Sequence, residues 1–237
     1  MARGRLILFP VTIGAADLSL SLPEGNRALL CGCRTFVVEE LRSARRFLKQ
    51  AGYPHPIDST TFHLLNEHTA PADTTGYLAD IEKGADIGLL SEAGLPCVAD
   101  PGALMVREAQ RRGIEVVPLV GPSSLMLALM GSGLGGQRFA FNGYLPVDRT
   151  RRAAALRKLE ERALRDHQTQ LMIEAPYRNN QLLEAMADTL RGNTMVCVAC
   201  DLTLDTQTIR TLSAAEWKTE RLSIDLKKRN TVFLIGE

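Results

Sequence analysis

The residues with the clearest chemical potential lie in one segment, SEAGLPCVADPG, which spans Ser91–Gly102. It follows a short apolar run typical of a strand and precedes a helical pattern, so we interpret it as a loop at the carboxyl end of a strand. Open α/β sheets bind ligands at that end. Gly94 allows a ligand to approach the backbone, and Glu92 can accept hydrogen bonds from hydroxyls such as those of a ribose. The N–H groups of Ala93, Gly94 and Leu95 can donate to the same small polar molecule.

The same loop also has a purely structural interpretation. Asp100 is a suitable helix N-cap, and Pro101 suits the first helical turn, where its missing N–H group has no partner in any case. The segment can therefore be an ordinary connection between a strand and a well-capped helix. Its residue spacing leaves both interpretations open.

A second strand–turn–helix pattern, VVPLVGPSSLMLALMGSGL, covers Val116–Leu134. Gly121 and Pro122 form its turn, and Ser123 or Ser124 can cap the helix or donate to a ligand. Because the carboxyl ends of parallel strands meet at one edge of a sheet, this loop is expected beside the first one. Two such loops support one ligand site better than either does alone.

A glycine-rich segment, GSGLGG, matches the dinucleotide-binding pattern G-x-G-x-x-G at Gly131, Gly133 and Gly136. That pattern binds phosphate where it follows a strand and opens a helix. Here a helical run precedes it and a strand follows it. We therefore interpret the segment as a helix end and a turn.

The composition restricts the class of protein. The 237 residues carry a formal net charge of +1, with 45% hydrophobic and 5% aromatic residues. This balance is typical of a globular protein and disfavours both a strongly basic nucleic-acid-binding domain and a surface of stacked aromatic rings. No apolar run has the length of a membrane span, and the N-terminus lacks the long apolar core of a signal peptide, so we expect a cytoplasmic protein.

The five cysteines predict no disulfide framework, because their number is odd and no secretion signal precedes them. Cys31 and Cys33 are expected on one face of a strand. A metal site that joins them to the C-x-x-C pair of Cys197 and Cys200 is disfavoured, because that pair lies in a segment typical of a buried strand. We expect inert buried thiols and no metal.

Apolar runs of strand length alternate with helix-period segments, which predicts an α/β fold with largely parallel sheets. The predicted strands are Leu6–Val11, Ala28–Cys33, Thr61–Leu65, Ile87–Ser91, Glu115–Leu119, Arg138–Asn142, Gln170–Glu174, Met195–Asp201, Gln207–Thr211 and Thr231–Ile235. The predicted helices are Val38–Ala51, Thr74–Lys83, Ala103–Arg112, Ser123–Met130, Thr150–Asp166, Asn180–Leu190 and Ala214–Glu220. A change of pattern near Leu119–Gly121 predicts two α/β domains, residues 1–120 and 121–237, with a ligand cleft between them and a partly antiparallel second sheet.

Several segments in order resemble one known family. They are LFPVTIG (Leu8–Gly14), VEELRSARRFL (Val38–Leu48), NEHT (Asn66–Thr69), the two loop segments described above, FAFNGYLP (Phe139–Pro146) and MIEAPYR (Met172–Arg178). Over nearly its whole length the chain resembles the small-subunit rRNA cytidine ribose 2′-O-methyltransferase family, within the tetrapyrrole methylase superfamily.

The resemblance implies a tetrapyrrole methylase-like fold of two α/β domains, with S-adenosylmethionine (SAM) in the cleft between them, and a homodimer. It implies a SAM-dependent methyltransferase whose partner is RNA of the small ribosomal subunit, methylated at a cytidine ribose hydroxyl. The positions that match the family's cofactor contacts are Ser91, Glu92, Ala93, Gly94, Val98, Ser123, Ser124 and Met172.

Segments expected near the methyl acceptor depart from the family's usual residues. Val11–Ala15 stands where the family usually has Thr-Pro-Ile-Gly-Asn, and Ala175–Arg178 stands where it has Ser-Pro-His-Arg. These departures leave two alternatives open. One is methylation of a small molecule such as a tetrapyrrole, and the other is a non-catalytic relative that only binds.

Methyl transfer to a ribose hydroxyl is helped by a base near the hydroxyl as it loses its proton. Three candidates, Glu40, Glu67 and His68, lie in segments expected to face the cleft. Glu40 can equally be an acid in a solvated first helical turn, and the other two can belong to a surface loop. The sequence does not select one of them.

Basic side chains form three stretches that could contact RNA phosphates, although such stretches usually mark a solvated helix face. They are Arg42, Arg45, Arg46 and Lys49; Arg149, Arg151, Arg152, Arg157, Lys158, Arg162 and Arg165; and Lys227, Lys228 and Arg229.

Overall fold

The structure is a computed structural model that describes residues 3–14, 18–20, 22–66, 69 and 73–237. The chain divides into two compact units, Met1–Ser123 and Ser124–Glu237, here called the first unit and the second unit.

The first unit is built on a parallel sheet. Its described residues form five strands in the order β3-β2-β4-β1-β5, and every neighbouring pair is parallel. The strands are β1 (Leu6–Phe9), β2 (Thr35–Val38), β3 (Thr61–Leu64), β4 (Ile87–Leu90) and β5 (Val116–Pro118). The helices are α1 (Glu24–Gly32), α2 (Leu41–Gln50), α3 (Ala79–Glu82) and α4 (Ala103–Arg111), with 3₁₀ turns at Leu18–Leu20, Ile57–Ser59 and Asp73–Gly76.

Side chains cover both faces of this sheet, as a parallel sheet requires. All residues of β2 and β4 are buried. Because successive residues of a strand point to opposite faces, one hydrophobic cluster contains Phe9 and Phe36 and another contains Leu6 and Ile87. A Cβ atom on Gly88 would lie 2.6 Å from the ring of Phe36, so only glycine fits at that point of the sheet.

The second unit, described throughout, has a mixed sheet of five strands in the order β6-β7-β10-β8-β9. The pair β6–β7 is parallel and the other pairs are antiparallel. The strands are β6 (Phe139–Tyr144), β7 (Thr169–Ile173), β8 (Met195–Cys200), β9 (Thr208–Ser213) and β10 (Thr231–Gly236). The helices are α5 (Ser124–Ser132), α6 (Arg149–Asp166), α7 (Asn179–Thr189) and α8 (Ala214–Glu220), with 3₁₀ turns at Pro176–Arg178 and Arg221–Ser223. The antiparallel part of this sheet was predicted and is confirmed.

The core of the second unit surrounds Trp217 on α8. Its ring is buried together with side chains of β7, β8, β10, α6 and α7. Because an indole N–H needs an acceptor when it is buried, the Nε1 of Trp217 donates to the carbonyl of Val196 at 2.9 Å.

The predicted α/β class is confirmed, but the predicted strand at Ala28–Cys33 is wrong. That segment belongs to α1, and the strand begins later, at β2. The apolar run suggested a strand, whereas the buried positions Leu22, Asn26 and Leu30 recur at every fourth residue, the spacing of one helical face. A strand-length apolar run alone does not exclude a helix.

The prediction that Cys31 and Cys33 share a strand face is wrong for the same reason, because the first lies in α1 and the second is its C-cap. All five thiols are free. Burial raises the pKa of Cys33 to about 12 and that of Cys97 to about 11, and it also raises the pKa values of Cys197 and Cys200. Thiols with raised pKa values are weak nucleophiles at neutral pH.

The glycine-rich segment after α5 is a helix end, as predicted. The helix ends at Ser132, and Gly133 has a φ of 73°, in the left-handed region that glycine favours after a helix. The segment does not open a helix, which removes the basis for a dinucleotide fingerprint there.

Candidate functional site

Three strands of the first unit end side by side at one edge of its sheet. In the register of the sheet, Val38 at the end of β2 and Phe9 at the end of β1 both pair with Leu90 at the end of β4. The residues that follow them, Glu39, Pro10 and Ser91, are therefore neighbours at the carboxyl edge. This edge is the position at which α/β sheets bind ligands.

The loop after β4 folds back onto the segment after β1. Gly94 and Val11 exchange two backbone hydrogen bonds, with N···O distances of 3.0 and 2.8 Å. The hydroxyl of Ser91, which is buried, donates to the carbonyl of Gly94 at 3.1 Å. The expectation that the Gly94 N–H donates to a ligand is therefore wrong, because it already has an acceptor. Among the described residues, none accepts from the N–H groups of Ala93 and Leu95, which stay available to a ligand.

The same loop holds three residues in the left-handed backbone region. Gly94 has a φ of 76°, Cys97 of 69° and Ala99 of 61°. A non-glycine residue in this region costs on the order of 1–3 kcal/mol and persists only where its surroundings impose it. Val98, between the two strained residues, leaves 45% of its surface exposed. The loop is thus fixed in an unusual course that presents an apolar side chain to solvent.

The loop after β5 packs closely against the end of β1. A Cβ atom on Gly121 would lie 2.0 Å from the Cβ of Pro10, so no other residue fits there without a shift of the backbone. The Nδ2 of Asn26 on α1 donates to the carbonyl of Val120 at 2.7 Å and holds the same loop. Ser123, which is buried, follows in this loop and is the last residue of the first unit.

Two carboxyl groups, Glu39 and Asp100, share a hydrogen bond at this edge. Glu39 follows β2, Asp100 closes the loop after β4, and each carboxyl group affects the pKa of the other. Burial, followed by the repulsion of neighbouring carboxylates, raises the pKa of Glu39, and burial also raises the pKa of Asp100. The pair therefore keeps a proton above the usual carboxyl range.

Asp100 also contributes to the start of α4, which begins at Ala103 as the sequence predicted. The N-cap position of α4 is Gly102, and the Oδ1 of Asp100 accepts from its N–H at 3.0 Å. The prediction of Asp100 itself as the N-cap is corrected accordingly.

Glu40 has a different environment from its neighbour Glu39. It is the N-cap of α2, and its carboxylate accepts from the N–H groups of Arg42 and Ser43 at 2.8 and 2.6 Å. These two hydrogen bonds lower its pKa. A carboxylate that is held in its ionised form by a helix start is a weak proton acceptor.

The other sequence-derived candidates fall in different places. Glu67 and His68 lie outside the described residues. Ser124 is the first residue of α5, in the second unit. Met172 lies in β7, and its side chain is fully buried in the core of the second unit.

The structure therefore brings together the cofactor-loop residues of the first unit at one strand edge, namely Ser91, Glu92, Ala93, Gly94, Val98 and Ser123. It adds Glu39 and Asp100, which the sequence did not select. The sequence signal that could have identified Glu39 is its position directly after a fully buried strand.

Several groups at this edge could bind SAM. The exposed carboxylate of Glu92 can accept hydrogen bonds from the ribose hydroxyls of SAM. Other polar atoms of SAM can accept hydrogen bonds from the free N–H groups of Ala93 and Leu95. The exposed side chain of Val98 supplies an apolar surface. Among the described residues there is no group of three or more His, Cys, Asp or Glu side chains that could hold a metal ion. Within the same residues, none of the helices has both the length and the apolar character needed to cross a membrane.

Comparison with known proteins identifies the family of the chain. The profile of the family described as Tetrapyrrole (Corrin/Porphyrin) Methylases matches residues 25–217. Three relatives carry the name Ribosomal RNA small subunit methyltransferase I. The Pseudomonas aeruginosa protein is 33% identical over 91% of this chain and 72% of its own length. The Mesorhizobium japonicum protein is 31% identical over 98% and 74%, and the Vibrio cholerae protein is 31% identical over 75% and 60%.

A solved structure shows the same fold. The structure described as the methyltransferase CobJ matches 99% of this chain and 94% of its own with a TM-score of 0.62. Its sequence identity is 17%, so the likeness concerns the fold alone.

Proposed function

The chain belongs to the tetrapyrrole (corrin/porphyrin) methylase family and is a methyltransferase, and on that premise we propose that it uses SAM to methylate a ribose 2′ hydroxyl of a cytidine in small-subunit ribosomal RNA. The relatives named ribosomal RNA small subunit methyltransferase I support the acceptor. The observation that carries the site is the strained loop after β4, with its free N–H groups and a carboxyl pair whose pKa values are raised.

Binding of the cofactor is assigned to the loop after β4 and to the neighbouring loop after β5. SAM supplies an electrophilic methyl group on a sulfonium centre when it is bound. Ala93 and Leu95 would donate hydrogen bonds, and Glu92 would accept from hydroxyls. Gly94 keeps the surface of the loop free of a side chain. Its φ of 76° and the Ile13 methyl group 3.2 Å from an added Cβ exclude larger residues.

Acceptance of the hydroxyl proton is assigned to Glu39, positioned by Asp100. A carboxyl group whose pKa is raised toward the working pH is a better base than one held ionised, such as Glu40. Once the pair has lost its shared proton, the Glu39 carboxylate can take the proton of the ribose hydroxyl as the oxygen acquires its methyl group. Asp100 would then share the new proton through the hydrogen bond between the two carboxyls.

Contact with RNA is assigned first to α2, because this helix begins at the site edge. Arg42, Arg45 and Arg46 are exposed along it. The guanidinium of Arg45 lies over the ring of Phe62 at 5.7 Å, which fixes its position without neutralising its charge. In the second unit, Tyr177 leaves 67% of its surface exposed, with Arg178 over its ring at 5.1 Å. Such a pair can stack on an unpaired base.

The experiment measures methyl transfer from labelled SAM to purified small ribosomal subunits. Free rRNA and a tetrapyrrole are tested in parallel as acceptors, and buffer alone is the blank. The proposal predicts label in the rRNA, in one nucleotide whose 3′ phosphodiester resists alkaline hydrolysis because its 2′ oxygen is methylated. Label in the tetrapyrrole would establish the small-molecule alternative. SAM binding with no transfer to any of these acceptors would contradict the proposed acceptor.

We also propose that the protein works in the cytoplasm, where ribosomal RNA is found, and as a homodimer. The family resemblance supports the dimer. Light scattering of the purified chain tests it, and a mass of one chain at micromolar concentration would contradict it.

A further inference from the structure

A cavity of about 490 Å³ opens in the second unit, between α6 and α7. Its lining includes the start of α6, with Val147, Arg149 and Arg152, and the exposed face of α7, with Glu184 and Asp188.

Arg152 is the unusual residue of this cavity. It lies in the first turn of α6, and only 5% of its surface is exposed. Its Nε and Nη1 atoms have no hydrogen-bond partner among the described residues. Its Nη2 makes one long hydrogen bond, 3.4 Å, to the carbonyl of Val147. A buried guanidinium without an anion is strongly disfavoured, so the cavity requires a partner for it.

A half-buried arginine in the same unit, Arg178, shows what a satisfied guanidinium looks like. The Nε and Nη2 of Arg178 both donate to Oε1 of Glu174, at 2.9 and 2.6 Å. Glu174 is itself buried. Arg152 presents a comparable fork of donors, but no carboxylate of the described residues occupies the corresponding place.

The local field also favours an anion. The N-terminus of α6, a helix of 18 residues, carries the positive end of the helix dipole, and a cation in the first turn is disfavoured there. The N-cap carboxylate of Asp148 is engaged by the N–H of Arg151 at 2.9 Å. Of the two acids in the lining, Asp188 is paired with Arg221 at 3.0 Å, and Glu184 is exposed.

We propose that this cavity is a phosphate site: the Nε and Nη1 atoms of Arg152, which expose less than 1 Å² each, turn toward the cavity and donate to one backbone phosphate of the RNA acceptor, while Arg149 attracts the strand at the entrance. A phosphate accepts two parallel N–H bonds from a guanidinium fork. The choice of RNA rests on the proposed function, and the exposed basic side chains further along α6 favour an extended anionic chain over a single ion.

The test compares the full-length wild type with Arg152→Met and Arg107→Met. Arg107 is exposed on α4 of the first unit and does not line the cavity, so its substitution removes the same charge without changing the cavity lining. The melting temperature is measured against inorganic phosphate, with chloride keeping the ionic strength constant. The affinity for a short labelled RNA of mixed sequence is measured by fluorescence anisotropy, and light scattering gives the mass of each protein.

The expected result has two parts. Inorganic phosphate raises the melting temperature of the wild type and of Arg107→Met but not that of Arg152→Met. Loss of a buried charge-assisted hydrogen bond makes Arg152→Met bind RNA at least about tenfold more weakly. Removal of one remote charge leaves the affinity of Arg107→Met within about twofold of the wild type.

Three results would overturn the proposal. No response to phosphate, together with unchanged RNA affinity, would mean that the cavity binds no anion. A response to phosphate with unchanged RNA affinity would assign the cavity to a free phosphorylated ligand. A lower mass for Arg152→Met than for the wild type would mean that a second copy of the chain supplies the missing anion. Failure of the wild type to methylate rRNA would refute the proposed function but would leave the phosphate response of Arg152 intact, so the two failures are distinguishable.

Discussion

Two loops of this molecule carry the same kind of backbone strain, but the pKa values of their carboxyl groups are shifted in opposite directions. The loop after β4 holds Cys97 and Ala99 in the left-handed region, with φ of 69° and 61°. The connection between β8 and β9 holds Asp201 and Thr203 there, with φ of 51° and 73°. The two loops differ in whether their backbone N–H groups find acceptors and in the direction in which the pKa values of their acids are shifted.

In the β8–β9 connection, partners offset the strain. The Oδ2 of Asp201 accepts from Nε of Arg229 at 2.7 Å and from the hydroxyl of Thr206 at 3.0 Å. The N–H of Thr203 donates to the side chain of Gln207 at 2.8 Å. Burial opposes ionisation of Asp201, but the hydrogen bonds and the charge of Arg229 outweigh it and lower its pKa.

In the loop after β4 two backbone donors have no acceptor in the described part of the chain, and the pKa values of the carboxyl pair are shifted in the opposite direction. Burial raises the pKa values of Glu39 and Asp100, and the N–H groups of Ala93 and Leu95 have no acceptor among the described residues. Strain by itself therefore identifies only a tight turn. Strain together with unmet donors and a carboxyl pair indicates a place built for a ligand.

The largest effect is expected from Glu39→Gln. Loss of a positioned base should lower methyl transfer between about 100-fold and 10,000-fold and leave SAM affinity unchanged. Glu40→Gln is the matched control, since it removes a carboxylate one residue away. It weakens the cap of α2 and should leave turnover near the wild-type value. Single-turnover rates with labelled SAM separate the two variants. Equal losses of rate would contradict the role of Glu39.

The next effect concerns the satisfied loop. Asp201→Asn should lower the free energy of unfolding by about 2 kcal/mol, because it replaces a charged acceptor of Arg229 with a neutral one. SAM affinity and turnover should not change. Urea unfolding measures the stability and a SAM titration measures the affinity. A loss of SAM binding in this variant would mean that the β8–β9 connection also contributes to the cofactor site.

The pH dependence of stability should have opposite signs in the two loops. A carboxyl pair with raised pKa values holds a proton in the folded state that the unfolded chain has lost, so its contribution falls as the pH rises through the raised values. Glu39→Gln should therefore gain stability relative to the wild type as the pH rises toward neutrality. Asp201 has a lowered pKa, so its contribution is full above the ordinary carboxyl range and disappears as the pH falls through the lowered value.

Unfolding curves at several pH values between acid and neutral, for the wild type, Glu39→Gln and Asp201→Asn, check these signs. The difference between Asp201→Asn and the wild type should vanish at the acid end. A difference between Glu39→Gln and the wild type that does not depend on pH would mean that the pair holds no unusual proton.

The smallest effect is expected from relief of the strain itself. Ala99→Gly and Thr203→Gly should each change the free energy of unfolding by about 1 kcal/mol or less, because relief of the left-handed strain is opposed by the greater freedom of glycine in the unfolded chain. Only Ala99→Gly should weaken SAM binding, by loosening a preorganised loop. Melting curves and SAM titrations of both variants test the difference.

The sequence was sufficient for the strand edge but not for the chemistry of its acids. Gly94 and the turn residues around it predicted the ligand loop because glycine and a strand end are local signals. The partnership of Glu39 with Asp100 was not predictable, because it depends on β2 and β4 being neighbours in the sheet, a long-range pairing that residue spacing does not contain.

The other incorrect predictions have similar causes. The helix α1 was mistaken for a strand because its short apolar run fits both periods, and its buried face becomes evident only from Leu22 and Asn26 upstream. Arg152 belonged to a basic stretch that indicated a solvated helix face. Its burial depends on the packing of α6 against α7 and is invisible in the sequence.

The most direct test of the account is a calorimetric titration of SAM into the wild type, Gly94→Arg and Gly133→Arg. Both glycines are left-handed, with φ of 76° and 73°, but a Cβ atom at Gly133 meets no atom within 4 Å, and that residue lies outside the proposed site. The account predicts binding by the wild type and by Gly133→Arg, and a loss of more than about 100-fold for Gly94→Arg, since the arginine would fill the loop surface that receives the ligand. Unchanged binding by Gly94→Arg, in a protein that melts as a folded chain, would contradict the assignment of the loop after β4 as the cofactor site.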